Sequence, residues 1–336
     1  NEISISFNPN GSECYPALVR SFLTIQPSAD QIHELGLQQI KKIRGEMEAI
    51  LNEHYSGESI EKFLRRMNLD EEFTFTSEEE VVQYSRDALD TARKEAAKVF
   101  GLMPKADVEI KPYPEFAASG VGEYHSSSED GTRPGIFYIA VKDPTHRSRA
   151  SQLSTLYHET YPGHHLQGAI ALELGNKVHS FVRYTYNAGY SEGWGLYSER
   201  LAQELNLYKN SLDLMGMLSD QAARAVRLVI DSGIHTKGWT RQQSVDYMLN
   251  NTGWAKVDIE NDINRYISWP AQANAYMLGM LEIRRLRDFS ERELADNFDL
   301  SGFHDRILEN GSMTLPMTEK AILSWVAKEN FKAKKQ

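Results

Sequence analysis

Thiol chemistry is almost absent from this 336-residue chain: Cys14 is its one cysteine, so no internal disulfide can form. Far in sequence from any histidine cluster, Cys14 reads as a small packed residue rather than a nucleophile, and it does not separate an exported from a cytoplasmic protein. Positive charge is in deficit, with 37 Lys and Arg against 47 Asp and Glu and a net charge of −10. Such a surface repels phosphate backbones and anionic lipid, which argues against nucleic acid or a membrane surface as partner. No run approaches the ~18 apolar residues that cross a bilayer, so no membrane-spanning segment is expected. The opening NEISISFNPNG lacks a basic stretch followed by an apolar core, so a signal peptide is either absent or already removed. Also missing are repeats of fixed period, low-complexity tracts, glycine-rich phosphate loops and the GxSxG elbow of serine hydrolases.

What is present is an ordinary globular composition, 41% hydrophobic and 25% charged, able to build a large core without disulfide or metal staples. No composition shift marks a domain boundary, and one largely helical domain over residues 1–336 is expected. Ile32, Leu35, Leu37, Ile40, Ile43, Met47 and Ile50 recur at helical steps, and a second helix is expected over 77–100, opened by Ser77 and Glu80 at capping-box spacing. Between about 106 and 141 the character changes. VEIKPYP, VGEYHS and GIFYIAV are short, β-branched or aromatic-rich and separated by turn residues, which predicts three strands of a small sheet. Helical patterning then resumes near 147–174, 191–205, 211–236, 240–250, 256–267, 270–289 and 317–332, with Thr240 and Thr318 as N-caps. The lysine-rich end FKAKKQ reads as a solvated terminus. The fold class is mainly α with a small β-sheet of about three strands.

The chemistry concentrates in LYHETYPGHHLQ, which packs His158, His164 and His165 beside Glu159. In an HExxH helix, two histidines four apart bind zinc from one face and the intervening Glu polarises water. Here position 162 is Pro, which removes an amide donor and obliges a kink or bulge. On a regular helix His164 would lie ~120° from His158, so a bulge over Tyr161-Pro162-Gly163 is needed to restore it. His165 regains the face without a bulge but lies ~10 Å further along the axis, and is the alternative second ligand. The plainer reading, histidines packed around a kink, explains a lone His better than this cluster. The third ligand should be a carboxylate from NAGYSEGWGLYSERLAQEL, where Glu192 and Glu199 sit seven apart on one face, one to ligate and the other to support.

HETYPGHHLQ, YSEGWGLYSE, RLVIDSGIHTKGWT and RYISWPAQANAYMLG, in that order, resemble the bacterial domain-of-unknown-function family 885. The resemblance runs from about Asn8 to Trp325. It implies a zincin- or gluzincin-like helical metallopeptidase domain, with His158, His164 and Glu192 as zinc ligands and Glu159 as general base. The metal-site helices would span about 147–205. Members are usually longer, which implies that this chain corresponds to their C-terminal portion and that an N-terminal region of the same protein is a missing partner. Family members are often exported or lipid-anchored, which favours the cell envelope over the cytoplasm.

Downstream, Arg227, Asp231, His235 and Trp239 recur at four-residue steps. The plain interpretation is an Arg227–Asp231 ion pair with His235 filling a helix end. The functional one is substrate contact by Arg227 and stabilisation of a developing oxyanion by His235. Tyr266 and Tyr276 are further donors, Tyr266 as the catalytic candidate and Tyr276 as a substrate contact, each against the alternative of a core aromatic. GIFYIAV is expected to pair with an extended peptide as an added strand, or to serve as plain sheet. Together these features predict a zinc-dependent hydrolase of peptide or peptide-like amide bonds. The rival readings are a metal-stabilised binding or scaffold protein without turnover, and a hydrolase of non-peptide amides or esters.

Overall fold

A computed structural model describes residues 2–115 and 122–333 of the chain. In chain order the helices are α1 (Gly11–Leu23), α2 (Ala29–His54), α3 (Ile60–Arg66), α4 (Glu78–Ala96), α5 (Arg149–Glu159), α6 (His164–Glu173) and α7 (Ser180–Tyr184). They continue as α8 (Ala188–Glu204), α9 (Ser211–Lys237), α10 (Arg241–Leu249), α11 (Lys256–Ser268), α12 (Ala275–Leu294), α13 (Leu300–Leu308) and α14 (Leu315–Ala333). Strands β1 (Val108–Pro112), β2 (Gly122–His125) and β3 (Gly135–Ile139) form one mixed sheet in the order β1-β3-β2. The mainly helical fold with a small three-stranded sheet is therefore the one the periodicities predict. Of the expected strand VGEYHS, Val121 lies outside the described residues, as do the last three residues of FKAKKQ.

The chain divides into two compact units, the first comprising Asn1–Val81, Lys142–Ser154 and Tyr208–Met277. Its frame is the pair α2 and α9. Ser28 starts α2 with a capping box, its hydroxyl accepting from the Gln31 N–H at 3.2 Å while the Gln31 side chain accepts from the Ser28 N–H at 2.8 Å. Ile32, Gly36, Ile40, Ile43, Met47 and Leu51 then form the buried stripe, each large member contributing ~1.5–3 kcal/mol. Leu35, Leu37 and Ile50, from the same periodic set, stay outside it. α9 is buried on every side from Met215 to His235, which makes it the central rod of this unit. Thr240 caps α10 with Gln243, as expected. Thr318 does not cap: it lies inside α14, its hydroxyl turned back to the Thr314 carbonyl at 3.1 Å.

The second unit comprises Val82–Val141, Thr155–Leu207 and Leu278–Gln336. Its sheet corrects one expectation from the sequence. β3, the GIFYIAV segment, is the central strand, paired in parallel with β1 and antiparallel with β2, so neither of its edges is open to an added peptide. Pro112 sits in β1, an outer strand, where a missing N–H is tolerated. α8 is the central rod here, buried from Ala188 through Glu199. The expected helix over 147–174 is divided into α5 and α6. The chain breaks the helix instead of bulging it, since Pro162 offers no amide to carry the helix on, and the Tyr161–Pro162 bond in the intervening turn is cis.

Candidate metal centre

His158 and Glu159 end α5, and His164 is the first residue of α6. The turn between them is held by α8, because the Pro162 carbonyl accepts from the Trp194 indole at 3.0 Å and the Ser198 hydroxyl at 3.1 Å. Two glycines permit the close approach. A Cβ at Gly163 would lie 1.8 Å from the His158 carbonyl oxygen, and one at Gly195 would lie 2.6 Å from the His158 ring. The turn folds back on the end of α5 and α8 lies against the imidazole only because both positions lack side chains.

Three donors converge from these elements. Oε2 of Glu192 lies 3.4 Å from Nε2 of His158 and 3.5 Å from Nε2 of His164, and the three ligand atoms lie within 4.8 Å of one another. Donors at zinc bond lengths of about 2.0–2.1 Å in a tetrahedral arrangement are spaced about 3.3 Å apart, which the two carboxylate-to-imidazole spacings match closely. Its chemistry fits as well, two imidazoles and one carboxylate being a donor set suited to zinc. On the far side of the imidazole, Nδ1–H of His158 donates to Oε1 of the fully buried Glu199 at 2.8 Å. This fixes the tautomer that turns Nε2 toward Glu192. The seven-residue spacing thus separates the two roles: Glu192 is the candidate ligand and Glu199 the support.

Electrostatics in the cluster favour a cation. Burial alone would lower the His158 pKa, but hydrogen bonds to Glu192 and Glu199 outweigh it and raise the pKa to about 9. Burial would likewise raise Glu192, yet its contacts with His158 and His164 hold it well below the usual carboxylate range. A proton is thus bound tightly where a divalent ion would replace it. Glu159 is half-buried beside His158. The Tyr113 phenol is pushed up to about 12 by burial, then by the charges of Glu123 and Glu159. Glu159 also acts on Tyr124, which burial pushes up to about 12.

His165 is excluded from the cluster by its own bonds. Its Nε2–H donates to the Ala106 carbonyl at 3.1 Å and its Nδ1 accepts from the Tyr124 hydroxyl at 3.0 Å. Burial lowers its pKa to about 4, so the ring is neutral and fully engaged. Of the two histidine alternatives, the structure brings only His164 to Glu192. One participant escaped the sequence reading: Tyr186, whose hydroxyl donates to Oε1 of Glu192. Its signal was faint, an aromatic in TYN just ahead of the glutamate-bearing helix.

Arg227, His235, Tyr266 and Tyr276 belong to the first unit and are engaged there. His235 is buried, with Nδ1 accepting from the Ile5 N–H at 3.2 Å and Nε2 donating to the Tyr266 carbonyl at 3.0 Å. Arg227 pairs with Asp262 at 2.9 Å, donates to the Tyr266 hydroxyl at 2.8 Å and stacks over the Tyr276 ring at 4.6 Å. The expected Arg227–Asp231 pair is not formed. Asp231 instead accepts from the Tyr15 hydroxyl at 2.6 Å, Asn274 Nδ2 at 2.9 Å and the Ala271 N–H at 3.0 Å.

Fold and site together define a mainly helical protein with a three-donor cluster able to hold a metal. Residues 2–322 match the family described as bacterial protein of unknown function (DUF885), and the chain belongs to that family. Among solved structures it is similar to the putative lipoprotein from Colwellia psychrerythraea, with 34% identity and a TM-score of 0.93 over 97% of this chain and 57% of that one. A putative lipoprotein of unknown function from Shewanella oneidensis shares the fold, at 18% identity and a TM-score of 0.77 over 93% of this chain and 59% of its own. This chain therefore spans less than two thirds of the length of either relative. A comparison with curated proteins gives no match.

Proposed function

We propose that the chain is a zinc-dependent hydrolase of peptide or peptide-like amide bonds. The observation that carries the reading is the convergence of Nε2 of His158, Nε2 of His164 and Oε2 of Glu192 beside Glu159, with carboxylate-to-imidazole spacings of 3.4 and 3.5 Å. Three protein donors leave a fourth position for water or substrate, as in catalytic rather than closed structural sites. A zinc ion held there supplies Lewis acidity and a water of lowered pKa. Glu159 accepts the proton of the attacking water and passes it to the leaving amine. Glu199 keeps the His158 ring in the orientation that ligation requires. A scaffold needs ligands but no carboxylate in the position of Glu159, which favours an enzyme over a binding protein. The mechanism assigns no role to Arg227, His235 and Tyr266, which bond to partners within the first unit.

The test pairs metal analysis with hydrolysis of a mixed peptide pool, with ester and non-peptide amide probes alongside, on the wild-type chain and Glu159→Gln. The variant keeps the volume of the side chain but not its basicity, so zinc stoichiometry should persist while hydrolysis falls by ~10²–10⁴. A zinc-loaded Glu159→Gln protein cleaving at the wild-type rate would sink the mechanism. Wild-type protein that loads zinc and cleaves none of the probes would point to the scaffold reading instead.

The description of the Colwellia psychrerythraea relative as a putative lipoprotein supports a place at the cell envelope for this chain too. Fractionation of cells expressing the complete gene should recover the protein with the envelope, and recovery in the cytosol would overturn that placement.

A further inference from the structure

We infer that Tyr186 holds Glu192 as a one-oxygen ligand and so preserves an open coordination position at the metal centre, an inference that rests on the zinc site proposed above. Glu192 divides its two oxygens sharply. Oε2 faces Nε2 of His158 and Nε2 of His164, at 3.4 and 3.5 Å, while Oε1 accepts the Tyr186 hydroxyl. A carboxylate free to rotate can chelate a divalent ion through both oxygens, which occupies a position that water or substrate would otherwise take. A hydroxyl bonded to an ionised carboxylate oxygen forms a charge-assisted hydrogen bond, roughly twice as strong as a neutral one, and opposes that rotation.

The phenol is supported well enough to do this. Tyr186 directly precedes Asn187, the residue ahead of α8, and Asn187 is tied down by Ser312: its Nδ2 donates to the Ser312 carbonyl at 3.0 Å and its N–H to the Ser312 hydroxyl at 3.3 Å. Tyr186 is 60% exposed, and its hydroxyl reaches back to the buried Glu192 carboxylate. Each of two donors in the cluster then has its own support, the buried Glu199 behind His158 and the surface Tyr186 behind Glu192. The first sets which nitrogen faces the ion, and the second sets how many oxygens do. Tyr186 is on this view a positioning residue.

The experiment compares the full wild-type chain with Tyr186→Phe, which keeps the ring and removes only the hydroxyl, both loaded with cobalt(II) as a spectroscopic substitute for zinc. Thermal melting of the two proteins should agree. Tyr186→Phe should retain one equivalent of cobalt while its visible bands lose intensity, as expected when a second carboxylate oxygen raises the coordination number. Peptide hydrolysis by the zinc-loaded variant should fall by about 10–100-fold. A cobalt-loaded variant whose spectrum superimposes on that of the wild type would overturn the inference and leave the metal centre standing. Wild-type protein that takes up no cobalt or zinc would overturn the metal centre, and this inference with it.

Discussion

Two clusters in this chain each combine histidine, carboxylate and tyrosine around buried carboxylates. In the second unit they are His158, His164, Glu192, Glu199 and Tyr186, and in the first Tyr15, Asp231, His235 and Asn274. Both occur where the sequence places polar residues at helical spacing. They differ in where the donor atoms are spent. His235 bonds the backbone through both ring nitrogens, and Asp231 gathers the Tyr15 hydroxyl, the Asn274 amide and the Ala271 N–H around its two oxygens. In the second unit His158 uses Nδ1 on Glu199 and turns Nε2 to an oxygen that also faces another imidazole. A polar cluster becomes a candidate site when donors are left facing one another around a common point. A cluster that closes on itself is architecture.

The most severe test of that contrast is His158→Ala. Losing one of three ligands should cost more than the roughly 100-fold typical for loss of an outer partner, and equilibrium dialysis against zinc would measure it. A variant that kept one tight equivalent would remove His158 from the ligand set. Glu199→Gln is the intermediate case, with zinc affinity expected to fall about 10–100-fold because the amide no longer holds Nδ1–H as a carboxylate does. An unchanged dissociation constant would make Glu199 mere packing. Asp231→Ala should have the least effect on the metal, none by dialysis. It should nevertheless lower stability by several kcal/mol, since three donors lose their acceptor at ~1–3 kcal/mol each. Denaturant unfolding would show it, and any drop in zinc stoichiometry in a folded variant would break the separation between the two clusters.

Much of this was legible in the sequence because it rests on local periodicity. The α2 stripe at 32, 40, 43 and 47 and the Thr240 cap of α10 need only neighbours a few residues away. The two segments that supply His158, His164 and Glu192 were legible for a different reason, their density of ligand-type residues, which left His164 against His165 and Glu192 against Glu199 open until the family resemblance pointed to one set. What remained hidden depends on distant contacts. Nothing local says that His165 meets the Ala106 carbonyl, or that Arg227 prefers Asp262 to Asp231 four residues away on its own helix. Strand order is of the same kind, since GIFYIAV reads equally well as edge or centre and only its pairing with both β1 and β2 decides. Thr318 misled because a threonine ahead of an apolar run fits a cap, whereas α14 starts earlier, at Leu315.

The hydrogen bond from Trp194 to the Pro162 carbonyl gives the molecule a built-in optical gauge. Trp194 is fully buried, and its indole nitrogen is tied to the turn that joins Glu159 to His164. The length and direction of that bond influence the electronic transitions of the ring, so any ion that tightens or loosens the turn shifts ultraviolet absorption and emission from within the chain. Only five tryptophans contribute, and replacing the other four with phenylalanine would leave a single chromophore watching the centre, with no label attached.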